Sequence, residues 1–121
     1  MRNLGKKTNL VLRELVETLH KYSRENKAEI WSAVAEELLK PSSKRRAVNI
    51  SKINRYTNPG DWVIVPGKVL GAGNLDHSVV VAALSFSKTA LDKIQRAGGR
   101  AISILELLRE NPKGSNVKIM G

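Results

Sequence analysis

Val79 to Phe86, read Val-Val-Val-Ala-Ala-Leu-Ser-Phe, is the most hydrophobic stretch of the chain and limits its fold more than any other feature. A membrane span needs roughly 20 apolar residues, and this run is under half of that. Gly71-Ala72-Gly73-Asn74 precedes it as a turn signal, and Ser87 follows as a helix cap. A short apolar run between such boundaries reads as the central strand of a sheet. The rest of the chain must then supply neighbours for it.

Two amphipathic helices come first. Leu12, Leu15, Val16, Leu19 and Tyr22 recur at helical spacing, with Thr8 or Asn9 as the expected N-cap. Trp31, Val34, Ala35 and Leu38 repeat the pattern over Ala28–Leu39, and Pro41 stops that helix. Val48 and Ile50 suggest a short strand, after which Ser51 would cap a helical turn through Ile53 and Tyr56. Asn58-Pro59-Gly60-Asp61 is a turn. Trp62 to Val65 reads as a strand interrupted by Pro66-Gly67 and resumed at Val69-Leu70.

Beyond the central run, Ser87 opens a helix carrying Ala90, Leu91, Ile94 and Ala97, closed by Gly98-Gly99. Ala101-Ile102 is a strand, and Ser103 with Glu106 forms a capping box for a last helix that ends at Asn111-Pro112. Val117 to Met120 closes the order as a strand. The expected fold class is α/β: one compact domain over residues 8–121. A helical extension (8–40) precedes a mixed core (41–121), and residues 1–7 form a flexible basic arm.

Charge restricts the partner. Lys and Arg number 21 against 11 Asp and Glu, a formal net charge of +10. Such a surplus favours a polyanion. Residues 1–60 hold 13 basic and 6 acidic side chains, residues 61–121 hold 8 and 5, so the excess concentrates in the first half. Between Leu38 and Gly60 stand Lys40, Lys44, Arg45, Arg46, Lys52 and Arg55 with no acid among them. The arm adds Arg2, Lys6 and Lys7. Readers of single strands stack bases on clustered aromatics. Here the five aromatic residues are scattered, which favours folded nucleic acid bound through backbone charge. A solvated basic loop is the plain alternative.

Several chemistries are excluded. The chain has no Cys and two His, so Cys-ligated zinc, disulfides and thiol catalysis are out, and neither a metal nor a cofactor is expected. No apolar h-region follows Met1–Lys7, so neither a secretory signal nor a membrane anchor is expected. Val65 to Gly73 lacks the order of a P-loop, and Gly71-Ala72-Gly73 lacks the third glycine of a dinucleotide fingerprint. It reads as a turn whose glycines could admit an RNA backbone, with Lys68 on a phosphate. Arg96 and Arg100 flank the Gly98-Gly99 stop and are further candidates for phosphate. Asp76-His77 has no nucleophile assignable from spacing. A small phosphate-binding enzyme and a duplex-DNA-binding protein remain as alternatives, the latter disfavoured by Glu29, Glu36 and Glu37 on the second helix.

Val48-Asn49-Ile50-Ser51-Lys52-Ile53-Asn54-Arg55-Tyr56, Val65-Pro66-Gly67-Lys68-Val69-Leu70-Gly71, Phe86-Ser87 and Asn111-Pro112-Lys113-Gly114-Ser115 occur in that order. Together they resemble the archaeal and eukaryotic ribosomal protein family "L eighteen-e", and the short length is similar to the archaeal form. The resemblance implies an irregular series of β-β-α units, shared with the bacterial fifteenth large-subunit protein. It also implies a non-enzymatic, monomeric, cytoplasmic constituent of the large ribosomal subunit. The partners would be large-subunit ribosomal RNA and neighbouring ribosomal proteins. It carries RNA contact onto Lys44, Arg45, Arg46, Lys52 and Arg55, with Asn49 in the same motif, and onto Lys68. Ser42 and Arg46 depart from the family pattern, where a basic and a small residue are usual.

Overall fold

The computed structural model describes residues 2–40 and 47–121, with side chains from residue 11 onward. Ten elements follow in order. They are α1 (Arg2–Asn26), α2 (Glu29–Leu39), β1 (Ala47–Asn49), α3 (Ile50–Tyr56), β2 (Trp62–Leu70), β3 (Val80–Phe86), α4 (Lys88–Arg96), β4 (Arg100–Ser103), α5 (Ile104–Glu110) and β5 (Val117–Ile119). All strand pairings are parallel. A parallel sheet is stable only when helices cover both faces.

Alternation along the strands sorts the covering layers. Ile64, Ala82 and Ile102 face α1, α2 and α5, meeting Leu19, Trp31, Val34, Leu38, Leu107 and Leu108. Val63, Val65, Val69, Val81 and Ala83 face α3 and α4, meeting Ile50, Ile53, Ala90 and Ile94. The N-terminal helices are therefore one layer of the sandwich. The β-β-α step appears as β2–β3–α4, between β1–α3 and β4–α5.

β3 lies inside the sheet, between β2 and β4, as its apolar run requires. β2 has three partners. β3 follows one edge from Trp62 to Val69. On the other edge β5 pairs with Trp62–Ile64 and β1 with Lys68–Leu70. Pro66-Gly67, expected to interrupt the strand, lies inside a continuous β2 and disturbs only its pairing. The β2–β3 register shifts there, with two residues of β2, Pro66 and Gly67, against one of β3, Leu84. Proline has no N–H to donate. It falls where the opposite edge passes from β5 to β1, so that edge asks for no bond from it.

Two helix starts also differ from expectation. α1 begins at Arg2, not behind a cap at Thr8 or Asn9. Arg2, Leu4, Lys6 and Lys7 are good helix formers and outnumber the two poor ones, Asn3 and Gly5. α3 begins behind Asn49 rather than Ser51, and Asn49 makes no side-chain capping bond. Ser51 N–H instead donates to Ala72 O at 3.0 Å. Ser87 and Ser103 do cap, accepting from Ala90 N–H and Glu106 N–H. α4 ends in a Schellman motif: Gly98 N–H donates to Gln95 O and Gly99 N–H to Ile94 O, with Gly98 at φ +81°.

Gly99 serves the sheet sterically. A Cβ there would stand 2.3 Å from Val79 O, the carbonyl that accepts Arg100 N–H at 3.0 Å and seats β4. Backbone has little room to move, so Gly99→Ala is expected to cost about 1–3 kcal/mol. A denaturation midpoint equal to that of the parent chain would refute this.

Candidate nucleic-acid interface

α3 is short, and its two faces divide cleanly. Ile50 and Ile53 are buried, while Lys52 and Arg55, also three residues apart, are exposed. Residues at this spacing share one side of a helix. The turn therefore holds two cations outward by packing two isoleucines inward. Asn49 sits half-buried at the junction with β1, its side chain free of any capping duty.

Register brings Lys68 to the same region. It is exposed on β2, with Ala47 of β1 and Ser85 of β3 as its pairing partners. The basic segment Lys44-Arg45-Arg46 joins the fold at Ala47, directly opposite Lys68. Those three residues lie outside the described ones. Arg2, Lys6 and Lys7 lie in the first turns of α1, with side chains outside the description. Lys88, which sequence reasoning passed over, is exposed at the first position of α4, three residues after Ser85. Only knowledge that Ser85 pairs with Lys68 could have singled it out. Lys52, Arg55, Lys68 and Lys88 make no ion pair among the described residues.

The other candidates are placed differently. Arg100 pairs with Val80 at the start of β3, whereas Lys68 pairs with Ser85. Five residues of strand separate the two points by about 16 Å. Arg100 also makes a two-pronged bond to Glu110 at 2.7 Å on each prong, with Glu106 at 3.4 Å. Arg96 pairs with Asp92 at 3.0 Å. Lys40, just past α2, pairs with Glu37 at 2.8 Å. Its extended backbone, φ −66° and ψ 148°, is the one a following proline imposes.

A second constellation joins residues that sequence spacing left apart. Thr57 Oγ1 lies 2.7 Å from His77 Nε2, and His77 Nδ1 lies 2.9 Å from Asp76 Oδ1. The order matches a nucleophile, base and acid. Its chemistry does not. Thr57 is 7% exposed, and its hydroxyl donates to Ile53 O at 2.6 Å. A buried hydroxyl shared between a helix carbonyl and the imidazole is out of a substrate's reach, and the set ties the β2–β3 connection to α3. Lys118 makes a parallel tie to Asp61 and to Tyr56 O.

These ties set a pH response. Bonds from Asn58 N–H and Lys118 hold the Asp61 carboxyl below the usual range. The bond from His77 lowers Asp76, and that from Arg100 lowers Glu110. A carboxyl depressed in the folded state stabilises it above the unfolded pKa, and that contribution is lost as pH falls through the folded one. Thermal melts are expected to be level from pH 7 to about 5 and to drop steadily below about 4. A midpoint unchanged at pH 2.5 would contradict the assignment.

The aromatic residues complete the surface. Trp31 is fully buried, and Tyr22, Trp62 and Phe86 pack against the cores, leaving Tyr56 as the open ring. Among the described residues, no helix is long and apolar enough to cross a membrane, and no group of His, Asp and Glu could hold a metal ion. α2 buries Trp31, Val34, Ala35 and Leu38 on the sheet and turns Glu29 and Glu36 outward, the wrong sign for a helix that reads DNA.

Fold and surface together define a class: a small basic α/β/α protein with open lysines and an open arginine and, among the described residues, no cluster of exposed aromatic rings. The chain belongs to the family of ribosomal protein 60S L18 and 50S L18e, whose family model matches residues 1–121. It is 52% identical over 113 residues to the large ribosomal subunit protein eL18 of Sulfurisphaera tokodaii, covering 93% of this chain and 92% of the relative. The eL18 of Methanothermobacter thermautotrophicus is 53% identical over 114 residues, covering 94% of each. That of Archaeoglobus fulgidus is 50% identical over 115 residues, covering 95% and 98%.

Proposed function

We propose that this chain is a structural, non-enzymatic constituent of the large ribosomal subunit that binds large-subunit ribosomal RNA and helps fold it. The observation that carries this is the family match across the whole chain, with relatives half-identical end to end that are themselves large-subunit proteins. Its place is then the cytoplasmic ribosome, as a single copy beside neighbouring ribosomal proteins. The binding surface centres on Asn49, Lys52, Arg55 and Lys68. Lys40, Lys44, Arg45 and Arg46 lead into it, and Arg2, Lys6 and Lys7 add charge from α1. Arg100, about 16 Å away along the sheet, and Arg96 are already paired and take a lesser share.

Open lysines beside RNA phosphates release counterions, so log K falls by roughly 0.7–0.9 per log unit of salt for each phosphate neutralised. The native protein is expected to co-sediment with large subunits, and its affinity for protein-free large ribosomal RNA to drop steeply with salt. Absence from large subunits, or affinity indifferent to salt, would overturn the reading.

A further inference from the structure

Lys93, on α4, turns its charge inward. It is half-buried, and its ammonium donates to Gly71 O at 2.6 Å and also to Gly73 O. The carbonyl between them, Ala72 O, accepts Ser51 N–H at 3.0 Å. Three successive carbonyls of the β2–β3 connection are therefore held by the body of the protein.

The two glycines make this seat possible. A Cβ on Gly71 would meet Thr89 at 2.6 Å, and one on Gly73 would meet Ser51 at 2.4 Å. Gly73 is moreover at φ +96°. The loop is thus wedged between the first turns of α3 and α4 and fastened there by one ammonium.

The consequence lies on the other side of the loop. Among the described residues no peptide bond is cis, and in a planar trans peptide the N–H points opposite to the preceding C=O. With Gly71 O, Ala72 O and Gly73 O held inward, the N–H groups of Ala72, Gly73 and Asn74 point away from the body. These three residues are exposed, and their N–H groups find no acceptor among the described residues. The helix end cannot be the donor here, because Ser51 N–H is already spent on Ala72. Successive outward backbone donors are suited to anionic oxygens. Lys52 follows Ser51, Lys88 precedes Thr89, and Lys68 stands three residues before Gly71. A cation thus flanks the loop on each side.

We infer that Ala72-Gly73-Asn74 is a backbone-amide site for a phosphodiester group of the bound RNA, and that Lys93 is its positioning residue rather than a phosphate contact. The inference rests on the RNA-binding reading and deepens it. The glycines would let the phosphate reach main chain, and the surrounding lysines would supply the charge that three neutral donors lack.

The test uses the full chain and the ribosomal RNA fragment it protects from nuclease. In amide-resolved NMR, Ala72, Gly73 and Asn74 are expected to shift on adding that fragment. Unmoved amides at saturation would overturn the site while leaving RNA binding itself intact. Shifts with inorganic phosphate but not with the fragment would overturn the assignment to RNA. Failure of the parent chain to bind any fragment would sink the proposed function instead.

Lys93→Met probes the positioning role. Affinity is expected to fall roughly fivefold, on the scale of a hydrogen-bonded contact, with the salt slope unchanged. A slope smaller by about 0.7–0.9 would mean that Lys93 itself neutralises a phosphate and would overturn the role given to it. Unchanged affinity would overturn it equally.

Discussion

Replacing Lys52, Arg55 and Lys68 together by alanine is expected to weaken binding to large ribosomal RNA about a hundredfold at moderate salt, at roughly 1 kcal/mol for each contact. The slope of log K against log salt should fall by about 2–2.7, one share for each lost phosphate. All three side chains are exposed and make no ion pair among the described residues, so the melting temperature should hardly move. A salt titration of the parent and triple variant reads both quantities. Parent-like affinity and slope would remove this face from the interface. Arg100→Gln is the matched control. Its guanidinium is committed to Glu110 and Glu106, so RNA affinity should stay within about twofold. Losing this exposed pair should barely move the melting temperature.

The largest effect on stability is expected at Trp31. Its ring is fully buried between α2, α1 and the sheet, and its indole N–H donates to Pro112 O at 2.7 Å, far along the chain. Trp31→Ala removes the ring and leaves that carbonyl without its donor. A cost of about 3–5 kcal/mol is expected from the cavity, a large part of the roughly 5–15 kcal/mol that holds a domain together. Trp31→Phe keeps most of the volume and isolates the lost hydrogen bond, expected at about 1–3 kcal/mol. Urea titrations followed by circular dichroism measure both. A shift under 1 kcal/mol for Trp31→Ala would contradict the packing described.

What was legible beforehand follows from distance along the chain. The stripe Trp31, Val34, Ala35 and Leu38 needs a span of eight residues, and all four are buried as the spacing implies. The caps Ser87 and Ser103 and the Gly98-Gly99 stop act within one turn and formed as expected, whereas the return bond of the Ser103–Glu106 capping box did not, the Glu106 carboxylate turning to Arg100 instead. The start of α1 was misplaced because a possible cap at Thr8 does not oblige a helix to begin there when the residues before it also favour helix. Ser51 was misread for a related reason. Its backbone is claimed by Ala72, a residue distant in sequence.

Local periodicity and charge thus determined the element types, the buried faces and the kind of partner, since each depends on residues within a turn or two or on composition alone. Tertiary structure decided which strands lie side by side. It set Ala47 across from Lys68, gave one edge of β2 to both β1 and β5, separated Lys68 from Arg100, and turned Lys93 onto Gly71 and Gly73. Those outcomes depend on pairings between distant segments, whose register is fixed by packing two helical layers on one sheet. No local pattern carries that information, so a basic sequence became a particular surface only when the sheet assembled.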